Sequence, residues 1–142
     1  MRFKHRRKSR EIGIKVLYQI ELSNEDPQEA LLKYWSHLDL ESGGDPYAKE
    51  LILGVYENFE KIDSLIKQTK TKWKLERISP VDKAILRLAI YELLYKKDLD
   101  YKIIINEAVE LAKKYGDINS KAFVNGVLDE IAKKVRKSES KN

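Results

Sequence analysis

The sequence has no cysteine among its 142 residues. That excludes disulfides and thiolate metal sites and points to a reducing compartment. Proline and glycine are scarce, at three and six, so long stretches run free of helix breakers. No window approaches the roughly eighteen consecutive apolar residues of a membrane-spanning helix. The basic opening is not followed by an apolar run and a small-residue cleavage site, so it does not read as a signal peptide, and a cytoplasmic protein is expected. Glycine-rich phosphate loops, nucleophile elbows and metal motifs are missing. His5 and His37 stand apart and lack cysteine or acidic partners at ligand spacing. The expectation is a protein with no catalytic site, metal or cofactor.

What is present suits one compact domain with a real core, since 42% of the residues are hydrophobic. We expect that domain over residues 1–136, with 1–8 as a basic arm and 137–142 as a disordered tail. The net charge of +5 hides an uneven distribution. Arg2, Lys4, Arg6, Arg7, Lys8 and Arg10 give residues 1–10 a charge of +6, and residues 132–142 carry +4. The body between them is therefore −5. Such asymmetry suits a polyanion at the ends and leaves the body for another partner.

Apolar spacing predicts helices throughout, and so an all-α bundle of about six or seven. The first is expected to start near Ser9, carry Ile12, Val16, Leu17 and Ile20, and end at Ser23-Asn24. Asp26-Pro27, Asp45-Pro46 and Ser79-Pro80 each read as an N-cap followed by proline at the first helical position. Leu31, Leu32, Trp35 and Leu38 continue the second helix to a loop at Ser42-Gly43-Gly44. The third run, from Leu51 to Ile66, is expected to break near Asn58. Lys70-Thr71-Lys72-Trp73 reads as a connection. The segment 84–94 is apolar on nearly every side, which marks a buried central helix ending near Lys96-Lys97. Ile103-Ile104-Ile105 reads as the extended entry to a helix that ends at Tyr115-Gly116, with the glycine as a left-handed cap. Ser120 is expected to cap the last helix, which places Val124, Val127, Leu128, Ile131 and Val135 on one face. The Asn125-Gly126 pair suits close helix packing.

Several motifs in register resemble the NusB family. They are Ile85-Leu86-Arg87-Leu88-Ala89, Tyr91-Glu92-Leu93-Leu94, the run from Ile105-Asn106-Glu107-Ala108 to Lys113, and Phe123-Val124-Asn125-Gly126-Val127-Leu128-Asp129. The opening Arg6-Arg7-Lys8-Ser9-Arg10-Glu11 followed by Leu17-Tyr18-Gln19 is similar too, so the likeness covers essentially the whole chain. One departure is Asp100, where the family often has proline. The resemblance implies two packed three-helix subdomains plus one helix. It also implies pairing with the ribosomal protein NusE and binding of single-stranded boxA RNA in ribosomal RNA leaders. Other Nus factors and RNA polymerase would be reached through that pair, giving processive, termination-resistant elongation.

Two segments are candidates for RNA. Lys4, Arg6, Arg7 and Arg10 could neutralise phosphates, and an arginine could stack on an unpaired base or grip through its planar fork. A solubility role for a basic terminus is the alternative. In the turn before the last helix, Asn119, Ser120 and Lys121 could meet phosphate and Phe123 a base; Ser120 as a cap and Phe123 as core are the alternatives. The resemblance turns Tyr18, Glu76, Arg77, Asp82 and Lys83 toward NusE, against a plain solvated helix start. Arg87, Glu92, Asn106 and Glu107 interrupt apolar segments, where they are expected to satisfy one another or cap a neighbouring helix instead of doing acid–base chemistry. Two other functions compete: a NusB-like domain of a ribosomal RNA methyltransferase, for which no glycine-rich cofactor loop is visible, and a homodimeric scaffold.

Overall fold

Capping residues decide where most helices begin. Asp45 accepts from the backbone N–H of Ala48 at 3.0 Å and Ser79 from that of Asp82 at 3.1 Å, each just before a proline. Asp26 does the same for Gln28 and Glu29. Each side chain satisfies a backbone donor that the first turn leaves unpaired. The computed structural model describes residues 2–37, 44–71 and 74–137, and the side chains of 6–36, 44–71 and 74–137. Among them are α1 (Arg2–Ser23), α2 (Pro27–His37), α3 (Pro46–Glu57), α4 (Phe59–Lys67), α5 (Pro80–Tyr95), α6 (Tyr101–Tyr115) and α7 (Ser120–Val135). A single 3-10 turn, Leu75–Arg77, precedes α5. Leu38, Ser42, Gly43, Lys72, Trp73 and the tail 138–142 lie outside the described residues. None of the described helices is long and apolar enough to cross a membrane.

Helices α1, α2 and α3 pack on one another, as do α5, α6 and α7, and α4 bridges α3, α5 and α7. The two triples meet at α5, which also packs against α1 and α3. This central helix is buried on every side from Asp82 to Leu93, as its all-round apolarity predicts. Leu86, Ile90 and Leu93 are fully buried, and each contributes about 1.5–3 kcal/mol by leaving water. The expected break falls at Asn58, whose backbone N–H donates to Gly54 and Val55 as α3 ends. Asn24 closes α1 with φ +60°, a left-handed conformation that asparagine tolerates better than most residues.

Several sequence expectations need correction. The first helix begins at Arg2, not near Ser9. Ser9 lies inside it, nearly fully buried, and donates its hydroxyl to the Asp45 carboxylate at 2.8–2.9 Å, tying α1 to the start of α3. The segment 103–105 is helical, because Asp100, standing where the family often has proline, caps α6 by accepting from Lys102 N–H at 2.9 Å. Leu32 points outward at 67% exposure, while Leu31 and Trp35 face the core. Gly116 ends α6 at φ −90°, outside the left-handed region. Its need is spatial, because a Cβ there would strike the Ser120 side chain. Asn125 and Gly126 are exposed, and a Cβ on Gly126 would meet nothing within 4 Å.

Candidate nucleic-acid interface

Helical periodicity sorts the basic opening. Arg6 and Arg10 are four residues apart and turn toward α5, whereas Arg7 and Glu11 turn toward α6. Arg10 is 1% exposed, with Nε and Nη2 on the Glu92 carboxylate at 2.9 Å. The Tyr47 hydroxyl donates to the same carboxylate at 2.5 Å. Burial, the Glu92 charge and this hydrogen bond together push the Tyr47 phenol far above its ordinary range. The Arg6 guanidinium lies 4.3 Å from the centre of the Tyr47 ring and 4.0 Å from Asp98. Arg10 is thus a core residue, and exposing it would strand Glu92 in the interior. Arg6 is half-buried and held on Tyr47. The side chain of Lys4 lies outside the described residues.

Arg7 remains at the surface. Its side chain is 57% exposed, yet Nε and Nη2 donate to the two Glu107 oxygens at 2.9 and 2.7 Å. These hydrogen bonds hold the Glu107 carboxyl below its ordinary range, although its own burial works against them. One helical turn on, Glu11 takes Lys114 at 2.5 Å and the Tyr115 hydroxyl at 3.2 Å. The pairs 7–107 and 11–114 make α1 and α6 run in the same direction. The groove between them opens a cleft of about 400 Å³ lined by Arg7, Glu11, Glu107, Glu110, Lys113 and Lys114. Lys15 and Lys114 flank the Tyr115 ring, 5.9 and 5.3 Å from its centre. Lys15 and Lys114 were not singled out in the sequence, because only the approach of α1 to α6 brings them to one ring.

The groove leads to the turn between α6 and α7. There the Ser120 hydroxyl is buried and accepts from Asp117 N–H at 2.9 Å, and Asn119 N–H donates to the Asp117 carboxylate at 2.8 Å. Ser120 is the first residue of α7, not its cap, and its oxygen is engaged in the turn. Asn119 and Lys121 are exposed and Phe123 is half-buried. Asn119 and Phe123 line a cleft of about 280 Å³ with Arg77, Ser79, Asp82 and Asp117. Residues assigned from the sequence to RNA and to the partner therefore share one cleft.

Of the residues expected to face the partner, Tyr18, Glu76 and Arg77 are exposed. Asp82 and Lys83 are not surface contacts, being 7% and 9% exposed. The Lys83 ammonium reaches Glu21 at 2.9 Å, inside a network in which Arg87 spans Asp63 and Glu21 at 2.8–2.9 Å and lies 4.4 Å from the Phe59 ring centre. Asp82 Oδ1 has no hydrogen-bond partner among the described residues. Burial, helped by nearby Asp117, raises its carboxyl above the ordinary range against the pull of Ser120 and Ser79. Arg87, Glu92 and Glu107 are thus each paired with an opposite charge, but with Asp63 and Glu21, with Arg10 and with Arg7 respectively and not with one another, while Asn106 is exposed. Among the described residues, no group of histidine, cysteine and acid could hold a metal ion.

The chain matches the family model described as NusB family over residues 7–133. It is 46% identical over 126 residues to the transcription antitermination protein NusB of Bacillus pumilus, covering 89% of this chain and 93% of the relative. The protein of the same name from Thermodesulfovibrio yellowstonii is 42% identical, covering 90% and 91%. Among solved structures, NusB of T. maritima superposes with a TM-score of 0.78 at 44% identity over 90% of each chain. A chain from a crystal structure of the antitermination factors NusB and NusE with double-stranded RNA gives 0.82 at 30% identity, over 92% of this chain and 98% of that one. With its α1–α3 triple packed against the buried α5 of the α5–α7 triple, this chain belongs to the NusB family.

Proposed function

We propose that this chain is an RNA-binding transcription antitermination protein that pairs with NusE on boxA-type RNA of ribosomal RNA leaders. The observation that carries this reading is the likeness, over nearly the whole of both chains, to a NusB solved together with NusE and RNA. The curated relatives at 42–46% identity are named as antitermination proteins, which favours this role over a methyltransferase one. Residues 1–136 act as one domain in the cytoplasm, and other Nus factors and RNA polymerase are reached through the NusE pair. No reacting group is required, because the protein works as an adaptor.

On this reading RNA lies along the groove between α1 and α6, from Arg7 and Lys8, with Lys4 beyond them, to Asn119, Lys121 and Phe123. Exposed Lys8 and Lys121, outside the charge-balanced cleft, neutralise phosphates and release counterions, and half-buried Phe123 lines the shared cleft. Tyr18, Glu76 and Arg77 face NusE. Because Arg77 lines the same cleft as Asn119 and Phe123, RNA and partner meet there, so the binding of each should strengthen that of the other. Titrating fluorescent boxA-type RNA with and without NusE tests the reading. Tight, NusE-dependent binding of boxA over a scrambled sequence is expected; equal, weak binding of both RNAs in both conditions would refute it.

A further inference from the structure

Arg7 is exposed but not free. Its Nε and Nη2 are both committed to Glu107, whose carboxylate is only 7% exposed and has Arg7 as its close hydrogen-bonding partner, with Arg10 Nη1 further off at 3.7 Å. Pulling the guanidinium away to follow a phosphate would leave a buried charge poorly compensated, which is costly. The side edge of the fork is therefore unavailable to RNA. Arg7 itself lines a groove that also carries Glu11 and Glu110. The three acids there balance Arg7, Lys113 and Lys114, so the cleft gives a phosphate little net attraction. What remains presentable is the flat face of a guanidinium held at a fixed angle.

We propose that Glu107 is a positioning residue that fixes Arg7 as a stacking platform, so that Arg7 meets RNA through an unpaired base laid on its plane and not by gripping a phosphate. This rests on the RNA-binding reading above and adds the manner of contact and the residue that sets it. Single-stranded RNA is well suited, because its splayed bases stack on guanidinium planes as on aromatic rings. The stacking surface is sequence-tolerant, since every base has a π-face. A paired guanidinium loses little by this use, because stacking needs the plane, which Glu107 leaves open.

The test uses the full chain in complex with NusE, boxA-type RNA, and the variants Arg7→Ala, Arg7→Lys and Glu107→Gln. Stacking predicts that Arg7→Ala and Arg7→Lys weaken binding alike, on the order of tenfold, with the salt dependence unchanged. Glu107→Gln should weaken binding a few-fold even though it removes a negative charge beside a polyanion. An abasic scan of the RNA with the unaltered protein should show one position whose loss of affinity is not increased by Arg7→Ala. Full rescue by lysine, a fall of about 0.7–0.9 in the salt slope with Arg7→Ala, or tighter binding by Glu107→Gln would each overturn the inference. So would an abasic scan without such a position, a result that does not depend on any variant folding. Failure of the unaltered complex to bind RNA would overturn the RNA-binding reading as well, so the two failures are distinct.

Discussion

Arg10 and Glu92 meet face to face between α1 and α5, each with 1% of its side chain exposed, through nitrogen–oxygen contacts of 2.9 to 3.1 Å. Three residues earlier, Arg7 makes the same kind of bidentate pair with Glu107 but keeps 57% of its side chain in solvent. Two arginines of one basic run thus do different work, and their burial separates them.

Removing one partner of a buried ion pair strands the other. Arg10→Ala should cost about 3–5 kcal/mol of stability, read as a lower midpoint in urea unfolding. Affinity for RNA, normalised to the folded fraction, should stay close to that of the unaltered protein. Arg7→Ala should show the opposite balance, with a small stability loss and a clear loss of RNA affinity. A stable Arg10→Ala protein with weakened RNA binding would contradict the assignment of Arg10 to the core.

The Arg7–Glu107 pair also predicts an acid limb. The folded state holds the Glu107 carboxyl below its ordinary range, so the folded protein binds fewer protons there than the unfolded chain. The stabilisation is present above the unfolded carboxylate range and fades as pH falls toward the lower folded value. Glu21 behaves alike: its burial would raise it, but hydrogen bonds from Lys83 and Arg87 prevail and lower it. Thermal melts between neutral and acidic pH should therefore show stability falling with pH, and Glu107→Gln should flatten that decline. An unaltered slope in the variant would show that Glu107 does not titrate as described.

Two glycines should respond in opposite ways to alanine. A Cβ on Gly54 would collide with the Tyr91 ring where α3 crosses α5, so Gly54→Ala should destabilise by about 1–3 kcal/mol through overpacking. Gly126 sits mid-helix on the open face of α7 with no atom near its missing Cβ. Gly126→Ala should stabilise by up to about 1 kcal/mol from helix propensity alone. Chemical denaturation of both variants checks the pair, and equal effects of the same sign would contradict the packing described.

Most of the fold is legible in the sequence, because caps and apolar spacing act locally. Asp45-Pro46 and Ser79-Pro80 start helices where their chemistry requires, and the all-round apolarity of 84–94 marks the buried centre. Local rules misled where a distant group intervened. Ser9 has the chemistry of a cap, but Asp45 claims its hydroxyl and the helix continues through it to Arg2. The site was half legible. A run of cations is visible as a run, but which members are spent inside depends on Glu92 and Glu107, 82 and 100 residues away. Lys113 and Lys114 gain meaning only from the docking of α1 beside α6, and the cleft shared by Arg77 and Phe123 only from the approach of two helix starts. Tertiary pairing decides these, and no spacing along the chain encodes it.

One surface, from Arg7 along the α1–α6 groove to Lys121 and Phe123, is proposed to bind RNA beside NusE. Its most direct test is an equilibrium titration of boxA-type RNA against the NusE complex of an Arg7→Ala, Lys121→Ala double variant, at several salt concentrations. Weaker RNA binding is expected, with unchanged association with NusE. The salt slope should fall by about 0.7–0.9, because alanine at position 121 no longer neutralises the one phosphate that Lys121 meets. Undiminished affinity for RNA, or loss of NusE binding with RNA affinity intact, would contradict the proposal.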